Sequence, residues 1–325
     1  MSKRTGRDIS VGMAKESERG TPESAMAYWL PHRALEFEDK AVIIIDDQAY
    51  GVIEDSVAGK VVSKWAEGSI TGLVRDRAIG LLLYNALGAE GTPVSTPEDD
   101  VYDHVFTVYN SHQHPSLTVA IEDPDGDKAY ALCMVNTLEI TAELNEFVVF
   151  SADLISKKGA STSATPAYIA ENNFIPSEMS IKFATGTPQI AAATATKVKS
   201  AAITIEKELE KDDVLGSVDP DDILNKTVRV GMVIEKTYDD ATFKDYYTSA
   251  TPKAIELKIT SGTLIGTSSY PTLTIVLNQA YITDYSVAKG LDDIVTETLT
   301  LKATFKIADS EMIQVDLRNE VSAYQ

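Results

Sequence analysis

The sequence predicts a mainly β protein made of two similar domains in tandem, each a β-sandwich or small barrel flanked by one α-helix. The first observation behind this prediction is an internal repeat, since Ala41–Ile45 is echoed by Ala201–Ile205 and Val135–Thr141 by Leu277–Thr283. The second is that segments rich in β-branched residues dominate, with one helical pattern in each copy. The third is that neither copy carries a catalytic motif, which indicates a building block.

Length and charge narrow the class of protein. A chain of 325 residues is long for one domain and comfortable for two, and 44 % apolar residues are typical of a globular protein. The net charge is −20, and both halves are acidic. Such a surface disfavours a protein that binds nucleic acid by neutralising phosphates.

The chain begins with a polar segment, residues 1–25, which we expect to be an arm that becomes ordered only against a partner. Ala41–Ile45 reads as a strand, and Val61–Val74 as a second, longer strand. The acidic loop between them, Asp46–Lys60, also carries apolar Tyr50, Val52 and Ile53. We expect these three either to fold back on their own core or to dock on a neighbouring subunit.

A helix follows, because apolar residues recur at helical spacing. Asp76 stands where an N-cap belongs and Gly88 where a C-terminal glycine ends a helix. The apolar stripe is Ile79, Leu82, Leu83, Ala86 and Leu87, and the strands predicted after it are Val101–Asn110, Leu117–Glu122, Tyr130–Leu144 and Phe147–Ile155. Together these elements complete the first copy.

The segment Lys157–Pro166 is rich in small polar residues with Gly and Pro, which is typical of a linker. We therefore divide the chain into an N-terminal arm (1–25), a first domain (26–158), a linker (159–177), a second domain (178–310) and a C-terminal arm (311–325).

The second copy repeats the order of the first. Asp240, which lies 164 positions after Asp76, is expected to cap a helix whose stripe contains Phe243. The spacing changes to 142 between Asn136 and Asn278, as loop insertions in a duplicated chain would produce. The matching strands are Ala201–Ile205, Arg229–Thr237, 255–259, Thr272–Thr283 and Glu297–Phe305.

The residues that could bind a metal ion or take part in a reaction have simpler structural interpretations. Asp123, Asp125 and Asp127 resemble part of a calcium loop but lack its other ligands, so a solvated turn is favoured. The acids of 219–222 are favoured as a charged loop. His112 and His114, with His104 nearby, could in principle bind a metal, but no third ligand is recognisable, so exposed loop histidines are favoured. Cys133 is expected in the core. We expect no enzyme, cofactor or metal.

Residues Met1–Arg7 are basic but are not followed by an apolar segment, so no secretory signal is expected. No apolar run reaches the ~18 residues of a membrane-spanning helix. We therefore expect synthesis in a cytosol and no membrane contact.

Six stretches of the sequence form a recognisable set: Val11–Glu16, Arg19–Thr21, Tyr28–Pro31, Lys64–Gly72, Asn110–Thr118 and Val135–Ile140. Together they resemble the major tail tube proteins of long-tailed phages. The resemblance is strongest over residues 9–158 and weaker, although consistent in element order, over 165–310.

This resemblance implies a virion structural protein with tube-type domains, whose strands line a channel for double-stranded DNA. It implies rings that stack through a long loop and terminal arms, with the tape measure protein and the genome inside and other tail proteins as further partners. The resemblance also implies six tube-type domains in each ring. A chain with two fused domains would then form a trimer with pseudo-sixfold symmetry, and the alternative is a ring of six chains. Asp46–Lys60 and its echo Glu206–Leu224 occupy the stacking-loop position, but they differ in length and charge.

Strand alternation suggests which residues line the channel. If Leu138 and Ile140 face the core, then Glu139 and Glu143 share the opposite face with their threonine neighbours, and Gln279 lies on the echo strand. An acidic wall would repel phosphates and let DNA slide.

Other classes remain as alternatives. One is another phage tail component, such as a terminator or sheath-like protein. A second is a non-viral surface or adhesive β-sandwich protein, and a third is an enzyme on a β scaffold.

Overall fold

The structure, a computed structural model, describes residues 5–96, 100–123 and 126–324. Within these residues the chain forms nineteen strands and two α-helices. The first eleven strands are β1 (Ser10–Lys15), β2 (Tyr28–Leu30), β3 (His32–Ile45), β4 (Gly59–Leu73), β5 (Gly88–Glu90), β6 (Val94–Ser95), β7 (Tyr102–Val108), β8 (Leu117–Glu122), β9 (Lys128–Glu143), β10 (Val149–Ser156) and β11 (Ala160–Ser161).

The remaining strands are β12 (Met179–Ala184), β13 (Ala195–Thr196), β14 (Ser200–Asp212), β15 (Asp222–Thr237), β16 (Lys253–Thr260), β17 (Thr272–Ala288), β18 (Thr296–Ala303) and β19 (Ile313–Asn319). The α-helices are α1 (Ala78–Leu87) and α2 (Thr242–Thr248), and 3-10 turns occur at Gly6–Asp8, Pro176–Glu178 and Thr187–Ala192. The protein is therefore mainly β, as the sequence predicts.

The strand pairings of the first half recur in the second. In the first half, β3 pairs with β4, β4 with β10, β10 with β9, β9 with β8, β8 with β1 and β1 with β2. In the second half, β14 pairs with β15, β15 with β18, β18 with β17, β17 with β16, β16 with β12 and β12 with β13. One helix follows the second long strand in each series.

The two series are joined by an antiparallel ladder between β9 and β14. Its register places Ile203 opposite Ile140 and Thr204 opposite Glu139. The long strands therefore form one sheet in the order β3–β4–β10–β9–β14–β15–β18–β17. The division of the chain into separate domains with the bounds given above stays a prediction.

Helix α1 lies in the core, because all ten of its residues are buried. The apolar stripe of the sequence is only part of its contact surface, since a helix that is apolar nearly all round is covered on every side. Asn85, the polar exception, donates to the carbonyls of Pro115 and Cys133 and accepts from the Val135 N–H. The helix ends at Gly88 with a φ of 92°, the left-handed conformation that favours glycine.

The predicted N-cap is wrong for α1, and for α2 it lies one residue before the observed N-cap position. In α1 the N-cap position is Arg77, and the buried Asp76 carboxylate instead accepts from the N–H and side-chain amide of Asn172. In α2 the N-cap position is Ala241, although Asp240 does accept from the Thr242 N–H at 2.8 Å. Tertiary contacts with the 165–175 segment displaced the local capping pattern at α1.

Both predicted arms contain strands of the sheet, which corrects the expectation that the first orders only against a partner. Strand β1 pairs with β2 and β8, and its residues Val11 and Met13 are fully buried. Strand β19 lies between β17 and β7, so it connects the end of the chain to the first half. Backbone pairing and buried apolar side chains stabilise both segments within this chain.

The first long strand begins at His32, nine positions before the predicted start at Ala41. Phe37 is the buried residue of β3, and most of its neighbours are charged and exposed. The prediction relied on a continuous run of apolar residues. The first part of β3 lies at the edge of the sheet and buries few side chains, so it lacks such a run and was missed.

Candidate functional site

The β3–β4 hairpin projects from one end of the sheet. Strand β4 pairs with β10 only from Ala66 onward. Residues 59–65 of β4 therefore have β3 as their strand partner, apart from one backbone hydrogen bond at Lys64. The loop between the strands spans residues 46–58. The projecting section of strand is seven residues, or roughly 20 Å of chain.

The predicted loop residues lie at the end of this projection and are exposed. The exposed fractions are 54 % for Tyr50, 61 % for Val52 and 101 % for Ile53, so none of them folds back on the core. Further exposed apolar residues lie in the loop and along both strands: Val42, Ile43, Ile44, Ile45, Val57, Val61 and Val62. Contiguous exposed apolar surface of this kind marks an interaction site.

Opposite the core, the long sheet has a polar face. Leu138 and Ile140 are buried, which is the condition that the strand alternation required, whereas Glu139 is half-buried on the other face and Glu143 is exposed. Glu139 lies opposite Ser151 on one side and Thr204 on the other. The register therefore carries this polar face from the first half into the second.

Gln279 lies on the same polar face. The row of paired residues that begins at Glu139 continues through Thr204, Gly231 and Lys302 to Tyr281, two residues from Gln279. The Gln279 amide donates to the Tyr281 hydroxyl at 3.0 Å. The structure thus brings the predicted residues of β9 and β17 to one surface.

Several acidic residues of this face were missed by the sequence analysis, among them Asp153, Glu36 and Glu206. Asp153 pairs with Thr137 and Ser69, Ser69 pairs with Glu36, and Thr137 pairs with Glu206. Burial raises the pKa of Asp153, and the nearby Glu139 charge raises it further. Strand alternation could have identified these acids once the pairing of strands was known.

The histidine prediction is wrong for two of the three side chains. His104 and His114 are fully buried, and only His112 is exposed. His104 Nδ1 lies 2.6 Å from Glu90 Oε1, and burial lowers the pKa of His114 to about 4. Cys133 is buried as expected, and burial raises the pKa of its thiol.

No group of His, Cys, Asp and Glu suited to a metal ion occurs among residues 5–96, 100–123 and 126–324. The predicted acidic turn falls partly outside the described residues, since Asp125 lies there. The acids of 219–222 include Asp219, paired with Lys158, and Asp222, paired with Arg19. Two members of the predicted charged loop are therefore structural partners.

A buried polar network, also missed by the sequence analysis, lies where the N-terminal segment meets both halves. Glu16 accepts from the N–H groups of Leu132 and Gly20 at 2.7 and 2.6 Å, and from the hydroxyls of Ser116 and Thr118. Nothing in the local pattern around Glu16 distinguishes it from an exposed acid.

Two cations complete this network. Arg19 donates to Asp222 and to the carbonyls of His114 and Ile223. The fully buried Lys207 donates to the Asn85 carbonyl at 2.7 Å, and burial lowers its pKa to about 7. These contacts fix the second half of the chain against the first.

None of the described helices has the length and apolar character needed to cross a membrane.

The fold and its surfaces define a mainly β structural protein whose long sheet has a polar face and an exposed apolar hairpin. The chain belongs to the phage tail tube protein family, since the family described as "Phage tail tube protein" matches residues 6–305. It is thus a virion structural protein, a subunit of the tail tube, and self-assembly into a tube with other tail proteins is the property of this family.

Among solved structures, the chain is similar to the SPP1 tail tube determined by solid-state NMR and cryo EM. The sequence identity is 14 %, the match covers 46 % of this chain and 81 % of that chain, and the TM-score is 0.32. No curated protein sequence matches the chain.

Proposed function

We propose that three copies of this chain close a ring of six tube-type domains with pseudo-sixfold symmetry. Stacked rings form the hollow tube, through which double-stranded DNA passes from capsid to host. The tape measure protein and the DNA occupy the lumen without tight binding, and the tube assembles in the host cytoplasm.

The observation that carries this proposal is the ladder between β9 and β14. Strand β9 is the last member of the first long-strand series, and β14 is the first member of the second. The corresponding strands at the two ends of the sheet are β17 and β3. Among the described strands, β3 pairs with β4 alone, and residues 281–288 of β17 pair with β18 alone.

A free edge strand carries unpaired N–H and C=O groups that another strand can satisfy. Pairing β17 of one chain with β3 of the next would repeat the β9–β14 ladder between chains. Such a contact joins two different surfaces, so it generates a closed ring when the rotation per chain is a fraction of a full turn. Two repeats per chain make three chains sufficient for six.

Native mass spectrometry of the assembled rings tests the stoichiometry, and three chains is the expected result. Hydrogen exchange tests the contact, because the amides of β3 and of residues 281–288 should become protected on ring closure. Six chains per ring is the alternative and would overturn the trimer. Unchanged exchange at both edges would overturn the proposed closure.

The polar face is proposed as the channel wall, with Glu139, Glu143 and Gln279 facing the lumen. The additional acids Asp153, Glu36 and Glu206 on this face support the proposal, since negative charge repels phosphate and leaves DNA hydrated and mobile.

The β3–β4 hairpin is proposed as the stacking element between rings, with Tyr50, Val52 and Ile53 at its contact surface. Their exposure at the end of a long projection supports this role, because apolar side chains in that position gain burial only from another molecule.

A further inference from the structure

We propose that the two hairpins at this end of the sheet have different roles, an inference that rests on the ring stacking proposed above. The β3–β4 hairpin docks on a second copy of the chain in the adjacent ring. The β14–β15 hairpin, whose turn is residues 212–222, instead braces the base of the β3–β4 hairpin within its own chain. Each ring of three then carries three docking hairpins.

The brace is built from contacts between the two hairpins. The Lys64 N–H donates to the Val218 carbonyl at 2.6 Å, which joins β4 to the β14–β15 turn. The Lys211 ammonium lies 3.4 Å from the centre of the Trp65 ring, within the range of a cation–π interaction. Both contacts lie at the point where β4 leaves the sheet.

The β14–β15 hairpin is in turn fixed to the body of the chain. Asp219 pairs with Lys158 at 3.0 Å, and Asp222 pairs with Arg19 at 2.8 Å. The Gln113 amide also donates to Asp222, at 2.6 Å. The second hairpin is therefore bonded to three segments outside itself.

The loop of the first hairpin contrasts with this arrangement. In the described part of the chain, its hydrogen bonds are internal: the Tyr50 hydroxyl and the Gln48 N–H donate to Asp46, and Asp46 and Val57 make backbone bonds across the hairpin. A loop whose apolar side chains are exposed, and whose hydrogen bonds among the described residues are internal, is available for docking.

The occupant of the docking site follows from the geometry. The hairpin extends roughly 20 Å beyond Ala66, the first residue of β4 that is paired with β10. If the next copy of the chain is stacked in the same orientation, the projecting hairpin reaches the sheet of that copy. The partner of the hairpin is therefore a second copy of the chain.

A matched pair of variants separates the roles of the two hairpins. Ile53 and Leu215 are fully exposed at the two tips, so Ile53→Asp and Leu215→Asp remove no core contact. Ile53→Asp should stop tube growth, as seen by electron microscopy, while rings persist in analytical ultracentrifugation. Leu215→Asp should form tubes like the original chain.

A third variant tests the brace itself. Lys211→Gln removes the cation over Trp65 and should raise the protein concentration needed for tube growth about two- to fivefold, the range expected for one exposed cation–π contact. It should also increase protease cleavage within residues 46–58.

The outcomes distinguish this inference from the proposed function. If Leu215→Asp blocks tubes as completely as Ile53→Asp, both hairpins dock and the division of roles is wrong, although stacking through hairpins stands. An unchanged Lys211→Gln variant would overturn the brace. Tubes formed by Ile53→Asp would contradict the stacking role of the hairpin itself.

Discussion

Glu16 illustrates how a single buried carboxylate can hold separate segments together. It accepts hydrogen bonds from two backbone N–H groups and two hydroxyls that belong to the N-terminal segment, β8 and β9 and their flanks. A carboxylate has enough acceptor sites for four donors, whereas an amide has one oxygen and two donors of its own.

Glu16→Gln should therefore lower the free energy of unfolding by about 3 kcal/mol, because buried donors are left without an acceptor. Urea unfolding at neutral pH measures the loss. The control is Glu146→Gln, which changes an exposed acid and should leave stability within about 0.5 kcal/mol. Equal stability of the two variants would contradict the role of Glu16.

Lys207 makes stability depend on pH. Burial lowers its pKa from 10.5 to about 7 in the folded chain. Between about pH 7 and 10.5 the unfolded chain therefore binds more protons than the folded chain at this residue, so the free energy of unfolding rises with pH across that window.

Lys207→Met should remove this contribution and flatten the dependence. Urea unfolding of the variant and the original chain at pH 7, 8 and 9 gives the comparison. Parallel curves for the two proteins would show that Lys207 does not titrate in this range.

The burial of polar residues such as Glu16 and Lys207 could not be predicted from the sequence, because it depends on contacts between distant segments. Cys133 was placed correctly since it lies in an apolar strand, but His104 and His114 were expected in solvent. Their burial comes from Glu90, Asn319 and the Tyr109 carbonyl, none of which is marked by spacing.

At the scale of the element, the projecting hairpin gives the sharpest prediction. Deleting Gln48–Val57 should block ring stacking and leave the fold intact, because this segment contributes no buried residue. The measurement is a thermal melt with electron microscopy of the same sample. Loss of the cooperative melt would mean that the loop supports the core.

Helices and strands were predicted correctly where the local sequence pattern was clear. The helical stripe of α1 and the glycine at its end were identified because both signals are local. The strand β19 was missed, although Ile313, Val315 and Leu317 alternate, because the repeat appeared complete at Phe305. Long-range pairing with β7 decided its place.

For the whole molecule, the acidic polar face predicts weak interaction with nucleic acid. The assembled protein should not bind double-stranded DNA with a Kd below about 1 µM at physiological salt, since non-specific binding depends on neutralising phosphates. Fluorescence anisotropy with a labelled duplex is the measurement.

A matched variant strengthens this test. Replacing Glu139 and Asp153 by lysine should create measurable, salt-dependent binding, because four units of charge change on one face. Tight binding by the original chain, or none by the variant, would contradict the assignment of this face to the channel.

The duplicated pairing order shows what the whole-chain pattern could and could not provide. Matching elements such as the two helices were visible as constant spacings, so the repeat was predicted. The ladder that joins Ile140 to Ile203 was not, since nothing in either strand specifies its partner. Which edge of one repeat pairs with which edge of the other is determined by the folded sheet.

The β9–β14 ladder also has a kinetic consequence. Because both strands belong to one polypeptide, that ladder forms in a unimolecular step whose rate is independent of protein concentration. In the proposed ring, two encounters between chains replace the five that six unlinked repeats would require before the ring closes, and each encounter costs translational and rotational entropy. Covalent linkage would therefore let rings nucleate from a more dilute pool of newly made chains.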